Sequence, residues 1–391
     1  MFPRLRFSSP RWHGGLVAAV LWGMALGAVA RDGAPAEAMQ CQRASADTAA
    51  TADADASGWR IDCLRQQYQG KPGQWPRPWI DDGVPWQELA PVPPAQPPVT
   101  AAEQARLTLG TALFHDPGLS GKGAVSCATC HQAVRSFTDG LPLAVGEDRL
   151  MGKRRSQPLF AAPFAPLLFW DGRAASLEEQ ARGPIENPLE MNSSLEKARA
   201  YIASVPQYQQ WAEAAFGSDG MADDEWLSAI ASFVRVLRPA STAADAAIAG
   251  DTQALDDAQL LGLHLFRTKA RCMNCHHGAL LTDNRFHNIG LSFFGRRNQD
   301  LGRFEHTRDP TDLGTFRTPS LRGVAQAGPW MHNGIFPNLP GIVRMYNAGM
   351  GNMERGNTTD DPLTPVKSPH IQELNLTDEE IKALVAWLEV L

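Results

Sequence analysis

Two five-residue stretches decide how this 391-residue chain folds: Cys127-Ala128-Thr129-Cys130-His131 and Cys272-Met273-Asn274-Cys275-His276. Both match the pattern C-x-x-C-H, in which two thiols attach to the vinyl groups of a haem and the adjoining histidine binds its iron. A Cys₄ zinc site would give no reason for a histidine to follow each cysteine pair. A thioredoxin-like redox pair usually occurs once, beside a βαβ pattern that this sequence lacks. The motifs therefore predict two covalently bound c-type haems.

The N-terminus has the pattern of an export signal. Three arginines precede an apolar stretch at 14–26, and Ala28-Val29-Ala30 follows it. The last three residues match the small-x-small cleavage site of a secretory signal peptide. An uncleaved membrane anchor is the alternative interpretation, because the apolar stretch is slightly long. The pattern therefore predicts that residues 1–30 are removed on export to the periplasm. Once processed, the protein is not expected to be an integral membrane protein.

Composition and charge exclude several classes of protein. The chain is 20% charged and 43% hydrophobic, which is typical of a globular protein and argues against wholesale disorder. Its formal net charge is −6. Binding to phosphate groups needs clustered lysine and arginine, so nucleic acid is excluded as a partner.

Cys41 and Cys63 lie outside both motifs. In an oxidising compartment two remaining cysteines most often pair, and the segment between them is short enough to close easily. We expect a structural disulfide that fixes an otherwise weakly structured extension.

The chain divides into four segments. Residues 1–30 form the signal peptide, and 31–99 form a Pro-rich extension, with nine prolines between 71 and 100 that favour an extended chain over a surface. An N-terminal haem domain is predicted at 100–245 and a C-terminal haem domain at 246–391, with the low-complexity stretch 240–250 as their connection. Strand signals are few, so the predicted fold is mostly α. Helices are expected at 100–114, 176–183, 194–204, 206–216, 223–238, 256–267 and 376–390.

The two halves repeat each other. Gly110-Thr-Ala-Leu-Phe114 precedes the first motif as Gly262-Leu-His-Leu-Phe266 precedes the second. A constant offset of 162 residues relates four later pairs in the same order: Leu159 with Leu321, Trp170 with His332, Gly172 with Gly334, and Leu177 with Leu339. We therefore predict two c-type cytochrome-like helical domains related by internal duplication.

Together, these features resemble the bacterial dihaem cytochrome c peroxidases and their MauG-like branch over residues 100–391. Besides the two haem motifs, the resemblance depends on five stretches: 113–120, 169–173, 179–191, 319–322 and 332–334. The family implies a peroxide-reacting first haem and an electron-transferring second haem.

For the first haem, the resemblance makes His131 the proximal iron ligand and places Gln180 and Glu190 in the distal pocket. A carboxyl group there can move a proton between the two oxygens of peroxide. Family peroxidases carry a blocking histidine after Val-Gly, where this chain has Glu147. The 162-residue offset pairs Pro184 with Tyr346, which is expected to bind the second haem, and a proline cannot bind iron. We expect the first haem to be open without an activation step.

For the second haem, the resemblance makes His276 the proximal ligand and Tyr346 the axial ligand, where ordinary family peroxidases have methionine. Met345 is the alternative, because a one-residue shift on a helix would exchange the two side chains. The resemblance also places Trp170 between the haems as a route for electrons. Tyrosine at this axial position is the feature that indicates the MauG-like branch.

Two positions that supply calcium ligands in the family differ in this chain. Arg155 stands in place of asparagine, and Ala327 in place of threonine. Calcium is therefore an open question at the level of the sequence.

The sequence predicts a periplasmic dihaem peroxidase that reduces hydrogen peroxide at the first haem, with electrons from a small cytochrome c or cupredoxin. One alternative is a MauG-like maturation enzyme that oxidises Trp or Tyr side chains of a protein substrate. Another is a non-catalytic dihaem electron carrier, which would need six ligands at both irons and no acid–base group. Glu190, Gln180 and Pro184 count against the carrier.

Overall fold

The computed structural model describes residues 40–42, 58–217, 222–351 and 363–391. The predicted signal peptide and most of 31–57 lie outside these residues. Within the described parts of the chain, every helix is too short or too polar to cross a bilayer.

The described chain is mostly helical, which confirms the predicted fold class. A two-stranded antiparallel sheet pairs β1 (Phe286–His287) with β2 (Phe316–Arg317). The helices, in chain order, are α1 Ile61–Gln67, α2 Ala101–His115, α3 Cys127–Cys130, α4 Leu177–Glu186, α5 Leu195–Ser204, α6 Pro206–Phe216, α7 Asp223–Val236, α8 Ala243–Ala249, α9 Asp257–Arg267, α10 Phe304–Thr307, α11 Leu339–Asn347 and α12 Asp378–Glu389.

The seven helices expected from the sequence are all present, with ends within three residues of the expected ones. Helix α2 shows why the prediction works. The Thr100 hydroxyl accepts a hydrogen bond from the Glu103 N–H at 3.2 Å, and the Glu103 carboxylate accepts one from the Thr100 N–H at 3.0 Å. This capping box satisfies two backbone donors that the first turn would leave without partners.

The described part of the extension belongs to a hydrophobic core, which the sequence did not indicate. Trp59, Leu64 and Tyr68 are fully buried in the same cluster as side chains of α9 and α12. The Trp59 indole donates to Glu380 at 3.0 Å. A disulfide joins Cys41 to Cys63 with their Cα atoms 5.6 Å apart. The expectation of a weakly structured extension was therefore wrong for α1, because three sparse apolar residues suffice to anchor it.

The stretch 240–250 is also more ordered than its composition suggests. It contains helix α8, in which Ala244, Ala247 and Ile248 are buried. The α8 residue Asp245 accepts a hydrogen bond from the guanidinium of Arg322 at 2.7 Å. Small side chains let this helix pack closely, so tertiary contacts override a sequence that looks like a linker.

The buried side chains form two hydrophobic clusters, one built from residues 109–234 and the other from residues 41–89 and 244–391. Each contains a close helix pair, α2 with α7 in the first and α9 with α12 in the second. A Cβ atom on Gly110 would lie 1.7 Å from the carbonyl oxygen of Ala229, and one on Gly262 would lie 2.0 Å from that of Ala383. Only glycine permits either approach.

Two loops separated by the 162-residue offset have matching conformations. In 168–174 and in 330–336 the N–H of the first residue donates to the carbonyl of the last, at 2.8 and 2.9 Å. The second residues, Phe169 and Met331, both have φ of 68°. A helix begins three residues after each loop. These matches favour the duplication that the sequence predicts.

We expect Gly262→Ala to lower the free energy of unfolding by about 1–3 kcal/mol, the usual cost of overpacking a tight contact. The methyl group would meet the α12 backbone, which cannot yield as a flexible side chain can. Gly73→Ala is the matched control, because no neighbouring atom lies within 4 Å of its Cβ position. Chemical denaturation of both variants measures the difference. Equal stability of the two variants would contradict the close α9–α12 contact.

Candidate functional site

The first cysteine pair lies on the short helix α3, and neither thiol forms a disulfide. Burial raises the pKa of Cys127 to about 12 and that of Cys130 to about 11, and the nearby carboxylate of Glu190 adds to both shifts. Reactive redox thiols have lowered pKa values instead. The pair is therefore protonated and unlike a redox C-x-x-C site.

The second pair is similarly placed. Cys272 and Cys275 lie at a 3₁₀ turn, are not disulfide-bonded, and have pKa values raised by burial to about 12. Within the described residues, the potential metal-ligand group is Cys275 with Asp283 and His287, and it includes no cysteine of the first motif. A shared Cys₄ zinc site has no support in this geometry.

Both motif histidines are oriented by a backbone carbonyl. His131 Nδ1 donates to the oxygen of Phe137 at 2.8 Å, and His276 Nδ1 donates to that of Leu281 at 3.0 Å. A carbonyl can only accept, so the proton lies on Nδ1 in each ring. Burial lowers the pKa of both histidines. Each neutral ring therefore presents the Nε2 lone pair, the form in which histidine binds a metal.

Glu190 faces the first motif from the turn after α4. Its carboxylate accepts a hydrogen bond from the Asn187 amide at 2.7 Å. Burial raises the pKa of Glu190, while the Asn187 hydrogen bond and the charge of Arg173 lower it. Its charge raises the pKa values of both Cys127 and Cys130, so the carboxylate lies near that motif. Asn187, which the sequence did not single out, orients this carboxyl.

Gln180 and Pro184 lie four residues apart on α4, hence on one face of the helix. Gln180 is half-buried. Glu147 is fully buried, and its carboxylate accepts from the Ser120 hydroxyl at 2.7 Å and from the Lys122 N–H at 2.8 Å. These contacts fix the side chain of Glu147 in place.

Tyr346 lies beside the second motif on α11. Burial raises the pKa of its phenol, and the charges of Cys275 and Cys272 add to the shift. The methyl group of the neighbouring Met345 lies 3.8 Å from the position that a Cβ on Gly351 would take. The phenol of Tyr346 lies near both cysteines, and the choice between Tyr346 and Met345 as axial ligand stays a prediction.

Trp170 lies where the two halves meet. Its indole donates to the carbonyl of Arg155 at 3.1 Å. Its ring meets His332 edge-on at 6.3 Å, and His332 stacks on Phe316 at 3.7 Å. Burial lowers the pKa of His332 to about 3, so this ring is neutral. The sequence did not indicate the stack, although the 162-residue offset already paired Trp170 with His332.

The contact between the halves is reciprocal. The Arg155 N–H donates to the carbonyl of His332 at 2.9 Å, and the Arg317 N–H donates to that of Trp170 at 2.8 Å. Arg155 and Arg317 are themselves 162 residues apart, as are Trp170 and His332. Each half thus offers the same backbone groups to the other, as in a two-fold interface.

A buried ion-pair network borders this contact. Arg154 forms two hydrogen bonds of 2.7 Å with Asp300 and one of 2.6 Å with Asp171. Burial by itself would raise the pKa of Asp300, but the Arg154 guanidinium holds it below its usual range. The paired charges fix the loop that carries Trp170 against the C-terminal half.

Comparisons with known proteins agree with this geometry. The family model described as di-haem cytochrome c peroxidase matches residues 104–253. The chain is 34% identical to the methylamine utilization protein MauG of Methylorubrum extorquens over 346 residues, covering 88% of each chain. It is 33% identical to cytochrome-c peroxidase IdrP1 of Denitromonas iodatirespirans over 333 residues, covering 78% of this chain and 85% of the relative.

Two solved structures are also similar to this chain. A MauG-like protein associated with microbial copper homeostasis superposes with a TM-score of 0.67 and 28% identity, covering 80% of this chain and 95% of the other. The diheme peroxidase BthA from Burkholderia thailandensis shares the fold, with a TM-score of 0.62 and 24% identity over 78% of this chain and 95% of BthA.

We expect His131→Gly and His276→Gly each to disturb the absorption of one haem and spare the other, because each ring is held by its own half. Mass spectrometry of the unaltered protein should show two covalent haems. His115→Ala, at an exposed position on α2, is the control and should leave both spectra unchanged. A single covalent haem would contradict the two-motif interpretation.

Proposed function

Because the chain belongs to the di-haem cytochrome c peroxidase family, we propose that it is an exported enzyme that reduces hydrogen peroxide at the haem of the first motif. The observation that carries this proposal is the half-buried Glu190 carboxyl, whose charge raises the pKa values of Cys127 and Cys130 and which accepts a hydrogen bond from Asn187. An acid–base group at this place has no use in a simple electron carrier. The Cys41–Cys63 disulfide is consistent with an oxidising compartment such as the periplasm.

The residues present fit two covalently attached haems. Four half-buried thiols that form no disulfide are available for thioether bonds, and His131 and His276, each held through Nδ1, would bind iron through Nε2. When bound, the haems supply the redox chemistry by which peroxide, two electrons and two protons give two waters.

The protein's own part at the first site is proton transfer. Glu190 accepts a proton from one peroxide oxygen and returns it to the other, which becomes water. Burial raises the pKa of Glu190, which brings it closer to neutral pH and makes both steps feasible. Asn187 holds the carboxyl, and Gln180 positions peroxide or water. Pro184 offers no ligand, so the distal side stays open to peroxide.

Electrons pass between the halves through Trp170, whose ring contacts His332 and whose carbonyl accepts from Arg317. The indole is 6% exposed, which keeps water away from the route. Tyr346 would bind the iron of the second haem. A phenolate there would favour the oxidised iron, because iron ligands set the potential.

Tyr346 favours a second candidate function. An oxidised second haem suits the removal of electrons from side chains, as in a maturation enzyme that oxidises Trp or Tyr residues of a protein substrate. The similarity to a methylamine utilization protein MauG supports this alternative as strongly as the similarity to a cytochrome-c peroxidase supports the first function.

Turnover experiments separate these functions. The holoprotein is given peroxide together with a reduced small cytochrome c, a reduced cupredoxin or candidate protein substrates. Two donor molecules oxidised per peroxide would support the peroxidase, and a mass change at Trp or Tyr residues would support the maturation enzyme. Consumption of no peroxide with any donor would support the electron carrier and contradict both.

We expect Glu190→Gln to slow the reaction with peroxide by about 10²- to 10⁴-fold, the usual contribution of a positioned acid–base group. The carboxylate must accept the first proton, so the rate should rise with pH through a pKa above the ordinary 4.5. Stopped-flow rates across pH measure both effects. Glu186→Gln is the matched control, because its side chain is exposed at the end of the same helix. Equal rates for the two variants would exclude Glu190 as the acid–base group.

We expect Tyr346→Met to make the second haem easier to reduce, because a thioether ligand favours reduced iron more than a phenolate does. Met345→Leu should leave both midpoint potentials unchanged. Spectroelectrochemical titration of both variants measures this. A shift caused by Met345→Leu, with none from Tyr346→Met, would make Met345 the ligand.

A further inference from the structure

The calcium site of the family does not fit the residues of this chain. Calcium needs six to eight oxygen ligands. At the two positions where the resemblance expects an amide and a hydroxyl oxygen, the chain has a guanidinium and a methyl group. The Arg155 guanidinium donates to the carbonyl of Ala327, so it occupies an oxygen that a cation would need. Its own positive charge would repel a second cation.

The Arg155 guanidinium and Ala327, which stand at the two family positions, are both buried. Arg155 is 6% exposed and Ala327 is 2% exposed. Burial lowers the pKa of Arg155 to about 10, while the nearby carboxylate of Asp139 opposes the shift. The side chain therefore remains charged at neutral pH. Asp139 is itself 9% exposed and held by the Ser156 hydroxyl at 3.1 Å, so a buried acid balances the buried cation.

The backbone of the same residue joins the two halves. Its N–H donates to the His332 carbonyl at 2.9 Å, and its carbonyl accepts from the Trp170 indole at 3.1 Å. The side chain reaches Ala327, five residues before His332 in the C-terminal half. The backbone of Arg155 thus bonds to both Trp170 and His332, and its side chain bonds to the segment that leads to His332.

We propose that the guanidinium of Arg155 takes the place of a divalent cation between the two halves and holds Trp170 against His332 without calcium. Arg155 is a positioning residue in this account, since it acts on electron passage through Trp170. That effect rests on the proposed function, whereas the replacement of calcium rests on the geometry of Arg155 and Ala327.

The unaltered holoprotein gives the first test. Protein purified in chelator-treated buffer should contain no stoichiometric calcium by atomic emission. Its resting spectrum and thermal midpoint should not respond to EGTA or to added Ca²⁺. One tightly bound calcium per chain, or a spectrum that changes on chelation and returns with Ca²⁺, would overturn the proposal. This test needs no variant and does not depend on the route of electrons.

The double variant Arg155→Asn/Ala327→Thr gives the second test, because it restores both oxygen donors. In EGTA, oxidising equivalents from peroxide should reach the second haem roughly tenfold more slowly or worse, the cost of losing a group that orients a reactive one. Added Ca²⁺ should restore the rate and raise the thermal midpoint. A rate equal to that of the unaltered protein in EGTA would overturn the positioning role.

Two further variants complete the design. Lys153→Asn removes an exposed cation two residues away and should change neither rate nor calcium response. Trp170→Phe tests the electron route by itself. If it leaves transfer between the haems unchanged, the proposed route is wrong, while the calcium measurements on the unaltered protein still decide the role of the guanidinium.

Discussion

Two reciprocal backbone hydrogen bonds, from Arg155 to His332 and from Arg317 to Trp170, join the halves of this protein. Everything that requires both haems depends on this contact, because it brings the aromatic rings of the two halves together. The four residues form two pairs with the same sequence offset. The internal duplication that the sequence predicts would give such reciprocity, because a domain that meets its copy does so through equivalent surfaces. The functional differences between the halves then lie in the side chains that this shared frame carries.

Charge is concentrated at this contact, and Arg154 and Arg155 each have an acidic counterpart. Arg154 is bound by Asp171 and Asp300, and Arg155 lies within the electrostatic influence of Asp139. Leaving one buried partner unpaired would cost several kcal/mol, roughly 3–5. The network therefore specifies one arrangement of the halves more than it adds to stability. An enzyme that passes electrons between fixed centres needs that specificity.

The sequence predicted features that are local along the chain and missed those created by tertiary contact. Haem motifs and capped helices depend on residues within a few positions of each other, so α2 and the motif at 127–131 were readable directly. Helix α1 was missed because its apolar residues are sparse and form no recognisable pattern by themselves. They become buried only by packing against α9 and α12. The role of Asn187 was missed for the same reason, since only the folded turn brings its amide to Glu190.

The proposed function requires a first haem that is open in the resting state, with Glu190 beside it and with Glu147 and Pro184 at the two positions where a blocking ligand would be expected. The most direct test mixes the fully oxidised holoprotein with one equivalent of hydrogen peroxide, in the absence of any reductant, and follows the absorption of both haems. An open first haem should give an immediate spectral change that consumes the peroxide and spreads to the second haem. A protein that stays inert until it has first been half-reduced would contradict it.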